Sequence, residues 1–258
     1  MLGSATPSIE SYYNCKQQKY SLVTLNERYG QVELPQIEII DLKKVPSKEK
    51  GKIALTPALI TAIETSLQQK KQVILFQNRR GYSPYMICNT CGWIPQCQHC
   101  DVTLTYHKAK NKLTCHYCGT SYPVINTCVA CGSHDFTQKN FGTEKIEELV
   151  AEQFTDARIA RMDYDSIKGK HDHDNLIKLF EQQRIDVLVG TQMVVKGLDF
   201  EKVSLVGILD ADGLLSFADF RVNERAFQLM EQVRGRGGRR DAQGKVLIQE
   251  TQGNHQIV

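Results

Sequence analysis

The sequence predicts an α/β domain, a parallel sheet with helices on both faces, into which a cysteine-rich module is inserted. Three observations favour this fold. Apolar segments typical of strands alternate with segments of helical periodicity. The same alternation stands on both sides of residues 88–131, and eight of the nine cysteines fall inside that interruption as four CxxC pairs. The interruption is therefore most simply an insertion into one domain.

The elements follow in a regular order. Thr56 caps a predicted helix with a proline in its first turn, and "QVILF" follows it as a buried strand. After the cysteines come "FTQKNF", the helical "TEKIEELVAEQF", "ARIARMD", the helical "DHDNLIKLFEQQ", "IDVLVGT", "VSLVGILDAD", the helical "RVNERAFQLMEQV" and "KVLIQE". Residues 1–50 differ, because "GSATPS" indicates a turn and "VPSKEKGK" an exposed connection. The predicted divisions are residues 1–50, then 51–87 with 135–258 as the α/β domain, and 88–134 as the insertion.

The composition indicates an ordinary soluble protein. Of its 258 residues, 41% are hydrophobic and 24% are charged, and the net charge of +3 permits a nucleic-acid partner without requiring one. No apolar run is long enough to cross a bilayer, and the first ten residues do not resemble a secretion signal. We therefore expect a cytoplasmic protein with no membrane partner.

The CxxC pairs predict metal sites. Two cysteines separated by two residues can bind one ion, and glycine follows the second cysteine at Gly92, Gly119 and Gly132, where the turn needs a positive φ. Eight thiolates suffice for two tetrahedral Cys₄ sites, which suit Zn²⁺. Buried or redox-active cysteines and iron are the alternatives. Because thiolates fill every position, the zinc ions are expected to be structural rather than catalytic.

Four pairs can be combined into two sites in three ways. The fourteen residues between Cys100 and Cys115 suit a hairpin, which favours an inner and an outer site. The inner site contains Cys97, Cys100, Cys115 and Cys118. The outer site contains Cys88, Cys91, Cys128 and Cys131. The nearby histidines, His99, His107, His116 and His134, are interpreted as groups at the surface or around the ligands.

The motifs together resemble one family. "GSATPS", "ILFQNRRGYSPYMICNTCGW", "VGTQMVVKGLDF", "DADGLLSFADFRVNER" and "QVRGRGGR", in this order around four CxxC pairs, are similar to the primosomal protein N′ (PriA) family of bacterial replication-restart helicases. The resemblance implies two RecA-like lobes that bind ATP between them, movement along DNA from 3′ to 5′, recognition of stalled or branched forks and initiation of primosome assembly. This chain would supply the second lobe, and residues 1–50 the end of the first lobe and a linker.

The resemblance also implies roles for single residues. Arg236, Arg239 and Gln232 would act at the γ-phosphate of ATP, in the pattern QxxGRxGR. Gly197 and Asp199 would lie near the nucleotide. Thr143, Gly190 and Thr191 would contact DNA. Ser4 and Thr6 would couple the nucleotide state to DNA. The residue types suit these tasks, because a guanidinium binds phosphate oxygens in a bidentate manner and keeps its charge.

Some positions allow other interpretations or depart from the family pattern. Thr143 is about equally well explained as an ordinary helix cap. Asp210 and Asp212 resemble a magnesium-binding pair, but the family takes its magnesium carboxylate from the first lobe. Arg234 and Gly237 stand where alanine is usual and Ala218 where proline is usual. The long cation of Arg234 is expected either to disturb packing at the helix end or to offer DNA an additional contact, and Arg234 and Arg240 are interpreted as solvated or DNA-facing charge.

The sequence contains neither GxxxxGK[ST] nor a DExH-type box. We therefore expect a fragment that needs the whole protein for ATP, Mg²⁺ and hydrolysis, and that hydrolyses no ATP alone. The expected partners are forked DNA and, by resemblance, single-stranded DNA-binding protein and other primosome components, in a nucleoid-associated protein. The alternatives are a zinc-ribbon module that binds DNA or protein without ATPase activity, and another superfamily 2 helicase.

Overall fold

The structure is a computed structural model of the chain. It describes residues 3–25, 34–45, 55–77, 85–100, 102–107, 111–115, 117–139, 143–163, 166–167, 170–194, 200–215, 219–235 and 244–251. The helices are α1 (Ile9–Lys16), α2 (Pro57–Gln68), α3 (Thr143–Gln153), α4 (Lys170–Glu181), α5 (Ala211–Leu215) and α6 (Val222–Arg234), with 3-10 turns at Leu42–Lys44 and Gln192–Val194. Within these described ranges, no helix is long and apolar enough to span a bilayer.

In the part of the chain that the structure describes, six parallel strands form the main sheet, in the order β1-β11-β10-β2-β9-β8. They are β1 (Gln36–Asp41), β2 (Gln72–Phe76), β8 (Ile159–Met162), β9 (Val187–Gly190), β10 (Val203–Ile208) and β11 (Lys245–Glu250). Five shorter strands belong to the cysteine-rich module and pair antiparallel. They are β3 (Tyr85–Cys88), β4 (Thr105–His107), β5 (Lys112–Thr114), β6 (Ser121–Pro123) and β7 (Phe136–Lys139).

Helices cover both faces of the parallel sheet. On one face, α2 and α3 pack their buried residues against alternate residues of the strands: Leu59, Ile63, Ile146, Val150, Val73, Leu75, Val187 and Val189. On the other face, α4, α5 and α6 contribute Phe180, Leu214, Ala226, Met230 and Val233 against Ile74, Phe76, Leu188, Val206 and Ile208. Strands β2 and β9 are buried throughout because both of their faces are covered. The predicted fold class is confirmed.

The predicted start of α2 is also confirmed. The Thr56 side chain accepts a hydrogen bond from the backbone N–H of Leu59, and Pro57 occupies the first turn, where its missing N–H costs nothing.

Two strands differ from the sequence-based expectations. Residues 1–50 were expected to lie outside the parallel sheet, yet β1 forms its edge and pairs with β11 from Gln36 to Asp41. The segment "FTQKNF" was expected to extend the parallel sheet, yet β7 pairs antiparallel with β3 in a separate two-stranded sheet. The physical reason is that strand periodicity indicates an extended segment but does not identify its partner.

Candidate metal centres and sheet-edge site

The four CxxC pairs lie in turns with a common backbone hydrogen bond. In each turn the N–H of the first cysteine donates to the carbonyl oxygen five residues later, at 2.8–2.9 Å. The donors and acceptors are Cys88 with Trp93, Cys97 with Val102, Cys115 with Thr120, and Cys128 with Ser133. Three turns end on the predicted glycines, whose φ angles are 80° at Gly92, 77° at Gly119 and 73° at Gly132. The expectation of a positive φ at these glycines is confirmed.

The turns assemble into two groups of four sulfur atoms. The groups are Cys88, Cys91, Cys128 and Cys131, and Cys97, Cys100, Cys115 and Cys118; within each, all Sγ atoms lie within 4.8 Å of one another. The Sγ atoms of Cys88 and Cys131 are 3.6 Å apart, and those of Cys97 and Cys118 are 3.7 Å apart. Because a tetrahedral zinc with Zn–S bonds of about 2.3 Å separates its sulfurs by about 3.8 Å, both groups fit zinc. The structure brings the four pairs together in the favoured combination.

The thiols of these groups have shifted pKa values. Hydrogen bonds with the side chain and the backbone of Thr120 lower the pKa of Cys118 to about 6. Burial, together with neighbouring thiols, raises the pKa of Cys91 and of Cys100 to about 12. A metal ion that binds all four sulfurs must therefore displace protons from the thiols of raised pKa.

Little apolar packing supports the inner group. Among the described residues, five buried side chains form its cluster, namely Cys97, Val102, Leu104, Leu113 and Cys115, and the partly buried Met86, Cys100, Tyr106, Tyr122 and Ile125 pack against them. The Tyr122 hydroxyl lies 3.2 Å from Cys97 Sγ and accepts a hydrogen bond from the N–H of Gln98. A core of this size does not hold a module together without a further crosslink, so a bound metal would contribute folding energy.

Of the histidines near the cysteines, those that the structure describes do not join either sulfur group. His134 is exposed, with Nδ1 2.9 Å from the carbonyl oxygen of Asn126, and His99 lies near the inner group through its backbone N–H, 3.5 Å from Cys97 Sγ. His116 lies outside the described residues.

Gly190 and Thr191 lie at the carboxyl ends of three adjacent strands. The carbonyl oxygen of Gly190 accepts from the N–H of Gln77, after β2, and the N–H of Thr191 donates to Met162 at the end of β8. A Cβ atom at Gly190 would lie 2.2 Å from a Val194 side-chain atom and 2.8 Å from the Met162 carbonyl oxygen. Packing therefore requires glycine here. This edge is where parallel α/β sheets bind ligands.

Thr143 is the first residue of α3 and is fully buried. Its hydroxyl donates to the carboxylate of Asp163, at the end of β8, and the other Asp163 oxygen accepts from the N–H of Ser166 at 2.8 Å. The interpretation of Thr143 as a helix cap is corrected: the residue lies inside the helix, and its hydroxyl bonds to a buried carboxylate that needs donors.

Asp210 and Asp212 have hydrogen bonds that stabilise the fold. Asp210 Oδ1 accepts from the N–H of Gly213, in the first turn of α5, at 3.0 Å, and from the Tyr85 hydroxyl at 2.9 Å. Asp212 is buried, and its Oδ2 accepts from the N–H of Thr251 at 2.8 Å. Of the described residues, only the two cysteine groups bring together three or more metal-binding side chains.

The predicted coupling segment contacts α6. The N–H of Thr6 donates to Ser4 Oγ at 3.1 Å, and the carbonyl oxygen of Thr6 accepts from Gln228 at 3.3 Å.

The predicted residue Gln232 is exposed on α6, one helical turn after Gln228. Arg234 forms an ion pair with Glu231, 2.5 Å between Nη2 and Oε2. Several predicted positions lie outside the described residues: Gly197, Asp199, Ala218, Arg236, Gly237, Arg239 and Arg240.

Comparison with known families places both parts of the chain. Residues 97–123 match the model of the PriA DNA helicase Cys-rich region, and residues 131–241 match that of the helicase conserved C-terminal domain. The replication restart protein PriA of Bacillus subtilis is 39% identical over 255 residues, 99% of this chain. The chain belongs to the PriA family. Its parallel sheet is the RecA-like second helicase lobe, as predicted.

Two other PriA proteins are similar to the chain over nearly its whole length. PriA of Rickettsia felis is 44% identical over 96% of the chain, and that of Haemophilus influenzae is 38% identical over 100% of it. The chain spans 32%, 38% and 35% of the Bacillus, Rickettsia and Haemophilus proteins, about a third of the length of the curated relatives it matches.

Solved helicase structures are similar at low identity. RecG bound to a three-way DNA junction is 11% identical with a TM-score of 0.49, covering 95% of this chain and 22% of that one. S. cerevisiae Dbp5 bound to RNA and ADP BeF3 is 14% identical with a TM-score of 0.44, covering 95% and 43%.

Proposed function

We propose that this PriA-family chain is the second lobe and zinc-binding module of an ATP-dependent DNA helicase. The helicase moves from 3′ to 5′, recognises stalled or branched forks and initiates primosome assembly for replication restart. The observation that carries the proposal is the similarity to PriA proteins over 99% of the chain, with two Cys₄ groups inserted into the helicase lobe.

In this proposal, ATP and Mg²⁺ bind between this lobe and a first lobe. Gln232 lies on α6, which ends at Arg234, so Arg236 and Arg239 follow directly after the helix. A guanidinium in that position neutralises charge that develops on the γ-phosphate, an effect worth roughly a thousandfold or more in rate. Gly197 and Asp199 complete the nucleotide contacts.

DNA binds along the carboxyl edge of the sheet in this proposal. Gly190 and Thr191 lie at that edge, and α3 begins beside them at Thr143, where the positive end of the helix dipole favours a phosphate. The Thr143 hydroxyl itself already bonds to Asp163, so the backbone of this turn supplies the contact. The two zinc ions hold the module folded and take no part in hydrolysis.

The proposed function also implies partner proteins and a location in the cell. The whole protein works with single-stranded DNA-binding protein and other primosome components at the nucleoid, in the bacterial cytoplasm. No membrane partner is included.

Unwinding of forked DNA by the whole protein tests the proposal. Labelled forks with either a 3′ or a 5′ single-stranded tail are incubated with and without ATP. We expect ATP-dependent strand separation from the 3′ tail alone, with forks preferred over simple duplexes. DNA binding without ATP turnover would favour the zinc-ribbon module, and unwinding without fork preference would favour another superfamily 2 helicase.

The isolated 258-residue chain provides a second test. We expect it to hydrolyse no ATP, with or without DNA, because the sequence contains no phosphate-binding Walker motif and no acidic box. DNA-stimulated hydrolysis by this chain alone would contradict the assignment of its residues to one lobe.

A further inference from the structure

Two side chains of α6 hold the segment that contains Ser4 and Thr6. Glu224 Oε1 accepts from the backbone N–H of Ile9 at 2.9 Å. Gln228 Nε2 donates to the carbonyl oxygen of Thr6 at 3.3 Å and lies 3.3 Å from Glu224 Oε1. Glu224 and Gln228 are called the clamp below.

The clamp satisfies a backbone group that α1 leaves without an internal partner. Ile9 is the first residue of α1, and the first N–H groups of a helix have no acceptor within it. The Ser8 side chain accepts from Ser11 instead. A carboxylate at this position also suits the positive end of the helix dipole. The contact is therefore directional and specific to the acceptor at Glu224.

The clamp lies on the helix that leads to the arginines. Glu224, Gln228 and Gln232 follow one another at four-residue steps, which places them along one side of α6 with a rise of about 6 Å per step. Gln232 is therefore one turn from the clamp, and Arg236 follows the end of the helix at Arg234 by two residues.

We infer that Glu224 and Gln228 are positioning residues that couple DNA binding to ATP hydrolysis. They hold the Ser4–Thr6 turn against α6, the helix after which the sequence continues to Arg236 and Arg239. The inference rests on the proposed function, since it requires a DNA-stimulated ATPase. It adds Glu224 and Gln228 to the predicted site. Their contacts join residues that are distant in sequence: Ile9 and Glu224 are 215 positions apart, and Thr6 and Gln228 are 222 positions apart.

The variant Gln228→Glu in the whole, zinc-loaded protein tests the inference. The new carboxylate has nearly the same size but cannot donate to Thr6, and it repels Glu224. We expect the ratio of DNA-stimulated to basal ATP hydrolysis to fall about fivefold or more, the effect of one lost hydrogen bond. The basal rate and DNA affinity should stay within about twofold, since the residue touches neither ligand.

Three companion variants control this experiment. Glu224→Gln keeps an oxygen acceptor for Ile9 and should keep the wild-type ratio. Asn223→Ala changes an exposed neighbour on the same helix and should also keep it. If Gln228→Glu lowers the unfolding midpoint, the variant Glu224→Ala replaces it as the test, because it removes the acceptor for Ile9 without adding charge. The inference then predicts that the ratio of DNA-stimulated to basal ATP hydrolysis falls in Glu224→Ala.

Hydrogen exchange supplies a readout independent of catalysis. In Glu224→Ala we expect the N–H of Ile9 to exchange at least about fivefold faster, because it loses its acceptor. An unchanged ratio in Gln228→Glu or unchanged exchange at Ile9 overturns the inference while the proposed function stands. If the wild-type protein shows no DNA-stimulated hydrolysis, the proposed function fails and this inference fails with it.

Discussion

The phenol of Tyr85 donates a hydrogen bond to Asp210, with 2.9 Å between the hydroxyl and Oδ1. Tyr85 begins β3, the first strand of the cysteine-rich module, and Asp210 follows β10 of the parallel sheet. Asp210 also accepts from Gly213 and so holds the start of α5. One carboxylate therefore joins the module to the helicase lobe.

Removal of this phenol should weaken the whole lobe. In Tyr85→Phe the hydrogen bond to Asp210 is lost while the ring remains, so we expect the free energy of unfolding to fall by about 1 kcal/mol. Urea denaturation measures it. Tyr117→Phe, at an exposed ring, is the matched control and should leave the stability unchanged.

The effect of Tyr85 should depend on pH. Burial, with the charges of Asp210 and Asp212, raises the pKa of Tyr85 well above its usual value. The unfolded chain loses this proton first, so the contribution of the phenol is complete below about pH 10 and declines above it. The stability difference between wild type and Tyr85→Phe should therefore stay constant up to about pH 10 and shrink as the pH rises from about 10 to about 12. A difference that grows over this range would contradict the assignment.

The number of zinc ions bound per chain should show whether each sulfur group binds its own ion. The wild-type chain should bind about two zinc ions, and Cys115→Ser should bind about one, because it removes a ligand of the inner group only. Cys15→Ser is the control and should keep both, since Cys15 lies on α1 outside both groups. Elemental analysis measures the ratio. Loss of both ions from Cys115→Ser would show that the groups do not fold independently.

Gly190→Ala should destabilise the lobe whether or not DNA is present. The added methyl group would overlap Val194 and the Met162 backbone, which cannot move without disturbing β8 and β9. We expect a loss of about 1–3 kcal/mol, typical of overpacking, in thermal unfolding. Gly3→Ala, where a Cβ meets nothing within 4 Å, should have no effect. Equal unfolding midpoints for Gly190→Ala and wild type would contradict the close packing of Gly190 against Val194 and Met162.

The features that were predictable from sequence arise from local patterns. Cysteine spacing and hairpin length predicted how the four pairs combine, because a short loop limits which sulfurs can meet. Continuous apolar runs predicted the buried strands such as β2. The edge strand β1 was missed because Ile37 and Ile39 are more than two-fifths exposed, so its alternation does not mark a core strand.

The remaining features depend on contacts between distant positions. Tyr85 and Asp210 are 125 residues apart, and Ile9 and Glu224 are 215 apart, so nothing near either residue indicates the other. The alternative interpretation of Thr143 as a cap was wrong because its partner, Asp163, follows a strand distant in sequence. Single residues of these types were visible in the sequence, but their hydrogen-bond partners are determined by the topology of the sheet.

The central claim is that Arg236 and Arg239 act at the γ-phosphate of ATP. The most direct measurement is the DNA-stimulated ATPase rate of the whole protein with Arg236→Ala, compared with Arg240→Ala. We expect Arg236→Ala to lower kcat about a thousandfold while DNA affinity is retained, and Arg240→Ala to remain active. If Arg236→Ala keeps wild-type turnover and Arg240→Ala abolishes it, the claim is wrong.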